Sequence, residues 1–132
     1  MTFSILHVTV TIERPLADVY AFAGDPGNLP EWAAGLGLGI ERNGAKWKVR
    51  TPDGFVSLRF AARNEWGVMD HTVELPDGSE VYVPFRALAN GAGTEVTLGL
   101  FRQPGMDDAA FERDAGLMRD DLVRLKALLE SR

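Results

Sequence analysis

His71, Tyr82 and Arg86 are the side chains of this 132-residue chain whose types and spacing come nearest to a reactive site. His71 shares its parity with Met69, Val73 and Leu75, so it falls on the apolar face of an alternating strand. In apolar surroundings desolvation favours the neutral ring, which can act as a general base or orient a polar ligand atom. The plainer reading is a core histidine bonded to a backbone carbonyl or a water. Asp70 is no partner on that face, because adjacent strand residues point to opposite sides. Tyr82 and Arg86 join His71 only if they face inward. The trio could then bind an enolate or carboxylate and donate protons, as a ring-closing aldol or a dehydration requires. Facing outward, they would pair with surface charges.

A second group suits binding without chemistry. Trp32, Trp47, Phe60, Val83, Phe85, Phe111 and Met118, together with His71, are the candidate lining of a pocket for a flat or acyl ligand. The same side chains can also simply fill the core of a chain this short.

Other chemistries lack their parts. With no cysteine and two histidines there is no thiolate nucleophile, disulfide framework or histidine-rich metal site. Asp107 and Asp108 suit a helix N-terminus, and Asp114, Asp120 and Asp121 a solvated helical face, so no metal site is expected. The glycines of Gly35-Leu36-Gly37-Leu38-Gly39 lack the strand-turn-helix setting of a dinucleotide fingerprint and suit a bend in the second strand. No cofactor is expected. The net charge of -5 disfavours nucleic acid as a partner. Lys46, Lys48, Arg50, Arg59 and Arg63 share the outer face with Glu41, Asp70 and Glu74, which predicts cross-strand pairing rather than a phosphate surface. No apolar run approaches a membrane span, and Met1 to Ile12 alternates without a basic head or cleavage site, so a cytoplasmic location is expected. The oligomeric state is left open.

These residues need elements to position them. The 45% hydrophobic and 25% charged composition suits an ordered globular chain, and no composition break divides it, so one domain over 1–132 is expected. Ile5 to Ile12 alternates as a strand buried on one face. Pro15 starts a short helix with Leu16, Val19, Tyr20 and Phe22 on its apolar side, ended by Asp25-Pro26-Gly27 before a turn holding Leu29, Pro30 and Trp32. Hairpins follow. A two-residue turn at Asn43-Gly44 sets Glu41 opposite Lys46, Ile40 opposite Trp47 and Leu38 opposite Val49. One at Asp53-Gly54 sets Val49 across from Leu58 and Trp47 across from Phe60. A turn at Glu65-Trp66, with Trp66 capping its tip, pairs Ala62 with Met69, Phe60 with His71 and Leu58 with Val73.

Pro76-Asp77-Gly78 admits two registers. A three-residue loop with a glycine bulge sends Val81, Val83 and Phe85 inward, whereas a two-residue loop turns Tyr82, Pro84 and Arg86 inward. Apolar alternation favours the first. Val96, Leu98 and Leu100 then face inward from the last strand. A helix of about two dozen residues closes the chain, capped by Asp107, with Met106 stapled to Phe111 and a stripe of Ala115, Met118, Leu122, Leu125 and Leu129. Such a stripe needs a long apolar partner, and a seven-stranded curved antiparallel sheet wrapped around it often encloses a cavity. The loops at Pro52-Asp53-Gly54, Pro76-Asp77-Gly78 and Arg102 to Met106 gather at one end as its expected mouth.

Ile12-Glu13-Arg14-Pro15, the Trp32 that follows Asp25-Pro26-Gly27-Asn28-Leu29-Pro30, and the closing helix resemble the SRPBCC superfamily over nearly the whole chain. Its members include START lipid-transfer domains, polyketide cyclases and birch-pollen-allergen-like proteins, and the likeness is greatest to small bacterial polyketide cyclase or dehydrase-like members. The resemblance implies an α+β helix-grip fold, with a short helical excursion after strand one and a cavity between sheet and C-terminal helix. It implies no single reaction. The expected function is binding or transport of a small apolar or aromatic, lipid-like molecule in that cavity. The alternatives are a cyclase or dehydratase in the same cavity and an interaction module like the chaperone-cofactor branch.

Overall fold

The computed structural model describes residues 1–36 and 39–132. Eight strands and three α-helices follow one another as β1 (Ile5–Ile12), α1 (Leu16–Ala23), α2 (Leu29–Trp32), β2 (Ile40–Asn43), β3 (Lys46–Thr51), β4 (Gly54–Phe60), β5 (His71–Glu74), β6 (Glu80–Val83), β7 (Phe85–Asn90), β8 (Gly93–Phe101) and α3 (Asp108–Glu130), with single 3-10 turns at Pro26–Asn28 and Ala34–Leu36. All pairings are antiparallel, in a sheet of order β1-β8-β7 and one of order β2-β3-β4-β5-β6. A long C-terminal helix packed on curved antiparallel sheets makes this an α+β helix-grip fold.

The eighth strand corrects the expected seven. Pro84 has no N–H to donate, and the ladder on β5 stops at Val83. Its carbonyl instead accepts from the Gly99 N–H at 2.9 Å, and from Phe85 onward the chain pairs with β8. One run of sequence therefore serves two sheets.

Two hairpins differ from their expected registers. Asn43 pairs with Lys46, so the two-residue loop is Gly44-Ala45 and Ile40 lies opposite Val49, Glu41 opposite Lys48. Gly44 takes the positive φ of +66° at the first loop position, the place that suits a glycine followed by an ordinary residue. Likewise Thr51 pairs with Gly54, leaving Pro52-Asp53 as the loop and setting Trp47 against Leu58 and Val49 against Val56. Each shift is two residues, so the inner face keeps its members. The expected Leu38 to Val49 pair lies outside the described residues, as do Gly37 and Leu38 of the expected Gly35 to Gly39 bend, whereas Gly35 and Leu36 belong to a 3-10 turn rather than to the second strand, which starts at Ile40.

Leu58 to Val73 and Phe60 to His71 pair as their alternation predicts. The turn beyond them is broader than a hairpin. The Ala61 N–H still reaches the Asp70 carbonyl at 2.8 Å, but Met69 donates to Phe85 and Ala87 to Gly67, so Ala62 and Met69 do not pair. Asn64 organises this loop, its Oδ1 accepting from the Trp66 and Val68 N–H groups and its Nδ2 donating to the Ala62 and Val68 carbonyls. Trp66 stands 73% exposed at the tip. At Pro76-Asp77-Gly78 the three-residue loop forms, with Gly78 at φ +89° and Leu75 bonded to Ser79. Val83 and Phe85 are accordingly buried.

The Asp107 side chain accepts from the Ala110 N–H at 2.8 Å to start α3, whose buried side is Phe111, Ala115, Leu122, Leu125 and Leu129. The helix backbone lies nearest β1, then α2 and β8, while the five-stranded sheet stands farther off. Its C-terminal half is tied down by polar bonds as well. Lys126 Nζ reaches the Thr11 carbonyl at 2.5 Å, Glu130 accepts from the Glu13 N–H at 2.8 Å, and Arg14 donates to the Leu129 carbonyl at 2.6 Å.

Candidate functional site

Four of the side chains expected to line a pocket meet on the inner face. Phe60 and His71 are direct partners across β4 and β5, and their rings stack with centroids 4.5 Å apart and 11° between planes. Phe85, at the start of β7, presents its edge to His71 at 6.0 Å. Trp32, at the end of α2, packs on the other flank of Phe85 at 5.7 Å. The alternation of two strands and the sheet switch after Pro84 thus set Phe60 and Phe85 against a single imidazole, and one short helix adds Trp32 against Phe85.

The protonation of that imidazole follows from its contacts. Nδ1 lies 3.1 Å from the Met69 carbonyl, which can only accept, so the proton of the neutral ring sits on Nδ1 and Nε2 keeps its lone pair. Burial pushes the His71 pKa below its ordinary value of 6.5, with the Met69 carbonyl and the Asp70 charge opposing. The ring is a hydrogen-bond acceptor inside an aromatic enclosure.

Trp32 brings the complementary group. It is 3% exposed, and its indole Nε1 has no hydrogen-bond partner among the described residues. Leaving such a donor unpaired in the interior costs about 1 to 3 kcal/mol. The tryptophan is nonetheless held firmly: its carbonyl accepts from Arg124 at 2.7 Å, Arg124 also binds Asp121, and Asp121 accepts from the Ala34 N–H at 3.1 Å. Burial pushes the Asp121 carboxyl up despite these bonds.

The apolar interior is divided along α3. Leu122, Leu125 and Leu129 belong to the main core with Trp32, Leu58, Met69, Val83 and Phe85. Phe111 and Ala115 form a smaller cluster with Leu100, against which Leu6 and Met106 pack. Met118 is partly buried and touches both clusters. Trp47 and Phe60 are partly buried against the main core, and Trp47 reaches the Pro26–Asn28 turn, 3.7 Å from where a Cβ on Gly27 would stand.

Tyr82 and Arg86 face outward. There they converge on Asp70, which is 4% exposed and accepts from the Phe85 N–H at 2.8 Å, from Arg86 Nη2 at 2.9 Å and from the Tyr82 hydroxyl. Burial raises the Asp70 pKa, and the bonds from Arg86, Tyr82 and Phe85 outweigh it, leaving the carboxyl below its ordinary value. The condition on which these two residues were to join His71 is therefore not met. A cleft of about 210 Å³ opens beside the group, lined by Arg59, Phe60, Ala61, Asp70, His71, Thr72 and Tyr82. Two further surface clefts, one at Ile40, Lys48, Arg50 and Phe55 and one at Arg14, Phe22 and Leu129, lie elsewhere. Neither Phe111 nor Met118 lines any of these three.

Two of the five outer-face cations pair across strands, Lys46 with Glu74 at 3.3 Å and Arg59 with Glu80 at 3.5 Å, whereas Lys48 and Arg50 lie over the Phe55 ring and Arg63 over that of Tyr20. No group of three or more metal-ligating side chains gathers among the described residues, and none of their helices is long and apolar enough to cross a membrane. Sequence reasoning missed two features. Asp70 had a signal in Pro84, since the residue after a proline at a strand break needs its N–H answered. The unpaired Trp32 donor had none, because a missing partner is a property of the packed interior alone.

No family model matches the chain, and no curated sequence is similar to it. Solved structures are. A START superfamily protein from Mycobacterium smegmatis superposes with a TM-score of 0.75 at 10% identity, over 96% of this chain and 97% of that one. Ara h 8.0201 gives 0.72 at 17% identity, over 98% and 99% of the two chains. DynU16, from the dynemicin biosynthetic locus, gives 0.73 at 20% identity over 96% of this chain and 47% of its own length. At these identities the likeness is one of fold.

Proposed function

From the helix-grip fold that this chain shares with proteins of the SRPBCC superfamily, we propose that residues 1–132 form one domain that binds a small, mostly apolar molecule between the sheets and α3. The observation that carries the reading is the meeting of Phe60 and Phe85 on a neutral His71, with Trp32 packed on Phe85, next to an interior split in two at Met118. Aromatic walls and a flexible thioether suit a ligand whose shape the fold does not fix in advance. A single polar handle suits orientation rather than turnover.

The cyclase or dehydratase alternative has less support. It needs an acid beside His71, and Tyr82 and Arg86 are engaged by Asp70 on the opposite face of the sheet. Binding without chemistry is the function we assign.

Native mass spectrometry of protein isolated from its source cells tests this directly. One organic molecule per chain is expected, replaceable by added 2-acetylnaphthalene. A bare chain that takes up no apolar probe would overturn the assignment.

A further inference from the structure

Resting on that interior site, we infer that its ligand is uncharged and presents a hydrogen-bond acceptor, a carbonyl or hydroxyl oxygen, to the indole N–H of Trp32. The donor is buried and unpartnered, and its ring packs on Phe85, as the His71 imidazole does. Every other buried polar side chain described is committed. Asp70 holds Phe85, Tyr82 and Arg86, and the Thr94 hydroxyl donates to the Arg14 carbonyl at 2.8 Å. Among the buried side chains described, the Trp32 indole is the one free N–H.

Charge decides the class. No lysine or arginine is buried among the described residues, and the arginines that reach toward the core are already spent. Arg124 lies on the Trp32 carbonyl and Asp121, Arg14 on the Leu129 carbonyl and Asp18, Arg86 on Asp70. A carboxylate entering here would lose its hydration and find no counter-charge, which a buried ion does not survive without neutralising. The neutral His71 ring does not supply one, because its N–H is turned to the Met69 carbonyl. What it offers is the Nε2 lone pair, which accepts from a ligand hydroxyl. Neutral phenols and alcohols fit both groups, neutral ketones fit the Trp32 donor, and a fatty-acid anion could accept from the indole only by burying a charge that nothing here neutralises.

The test compares three probes of one size at neutral pH: 2-acetylnaphthalene, 2-ethylnaphthalene and 2-naphthoate. The ketone should bind about tenfold tighter than the hydrocarbon, the margin of one hydrogen bond to an otherwise unpaired buried donor, and the anion weaker than both. In Trp32→Phe the ratio of ketone to hydrocarbon affinity should collapse to about one. The indole N–H resonance that this variant lacks should move downfield in the parent protein with the ketone and stay in place with the hydrocarbon, a readout that stands even if the variant folds poorly. Naphthoate binding as tightly as the ketone, or a preference that survives in Trp32→Phe, would overturn the inference while leaving the apolar-ligand reading intact. Failure of all three probes to bind would overturn both.

Discussion

The carboxylate of Asp70 accepts the backbone N–H of Phe85 at 2.8 Å, at the first residue able to donate after Pro84 and at the point where the chain leaves one sheet for the other. The side chain thus replaces a rung that no strand can supply there. Asp70→Ala should lose roughly 2 to 3 kcal/mol in urea denaturation, because it strands a buried N–H, whereas Arg86→Ala, at a half-exposed partner, should lose well under half of that. The pH dependence has a definite sign. The folded pKa of Asp70 lies below the ordinary 3.8, so its contribution is complete above that value and is lost as pH falls through the folded value. Equal midpoints for Asp70→Ala and the parent at neutral pH would remove Asp70 from this role.

His71 gives a second, separate pH signature. Its folded pKa lies below 6.5, so between the two values the unfolded chain holds a proton that the folded chain does not. Stability is therefore full above pH 6.5 and declines as pH falls through the folded value. His71→Phe, which retains a ring against Phe60, should flatten the stability profile between pH 7 and 5. A variant profile parallel to that of the parent would show that His71 titrates alike in both states.

The two clusters along α3 predict a division of labour. Met118→Trp should block uptake of 2-acetylnaphthalene with little change in denaturation midpoint, since Met118 is partly buried at the seam. Leu125→Ala, at a fully buried site, should cost roughly 2 to 5 kcal/mol with little direct effect on probe affinity in the folded protein. Similar losses of both stability and binding in the two variants would contradict the division.

Among the described glycines, Gly67 is the least open to change. It sits at φ +70°, and a Cβ there would come within 2.2 Å of the Ala87 carbonyl oxygen, which also accepts no relief from a flexible neighbour. Gly67→Ala should lose at least about 2 kcal/mol by thermal or urea denaturation, more than Gly44→Ala, where the space is open and only φ is strained. A mild effect at Gly67 would mean that the 61–70 loop can move off β7 without harm.

Much of this was legible because parity survives small errors. The stripe on α3, its Asp107 cap and the inner face of β3 to β6 all follow from periodicity. Turn chemistry was less secure. Asn43-Gly44 and Asp53-Gly54 each carry a hairpin signal, yet the loops form at Gly44-Ala45 and Pro52-Asp53, two-residue slips that alternation does not detect because either register keeps the inner face apolar. The break at Pro84 is written in the sequence as a missing donor, but its consequence, a strand divided between two sheets, depends on β8 arriving from far along the chain. Of the site, the inward set of Phe60, His71 and Phe85 could be read from alternation. That Trp32 joins them, and that Asp70 gathers Tyr82 and Arg86 on the other side, depends on α2 and the 61–70 loop, whose paths no local pattern specifies.

The pairing of Ile5 through Ile12 with Phe101 through Thr94 also constrains the order of assembly. Once made, β1 finds its neighbour only after some ninety further positions have been synthesised, and α3, which packs on β1 over the same core as Val8 and Ile12, comes later still. Until then its alternating apolar residues have no native place to go. Such late closure favours slow folding and leaves β1 waiting, so the core cannot close until β8 and α3 have been made.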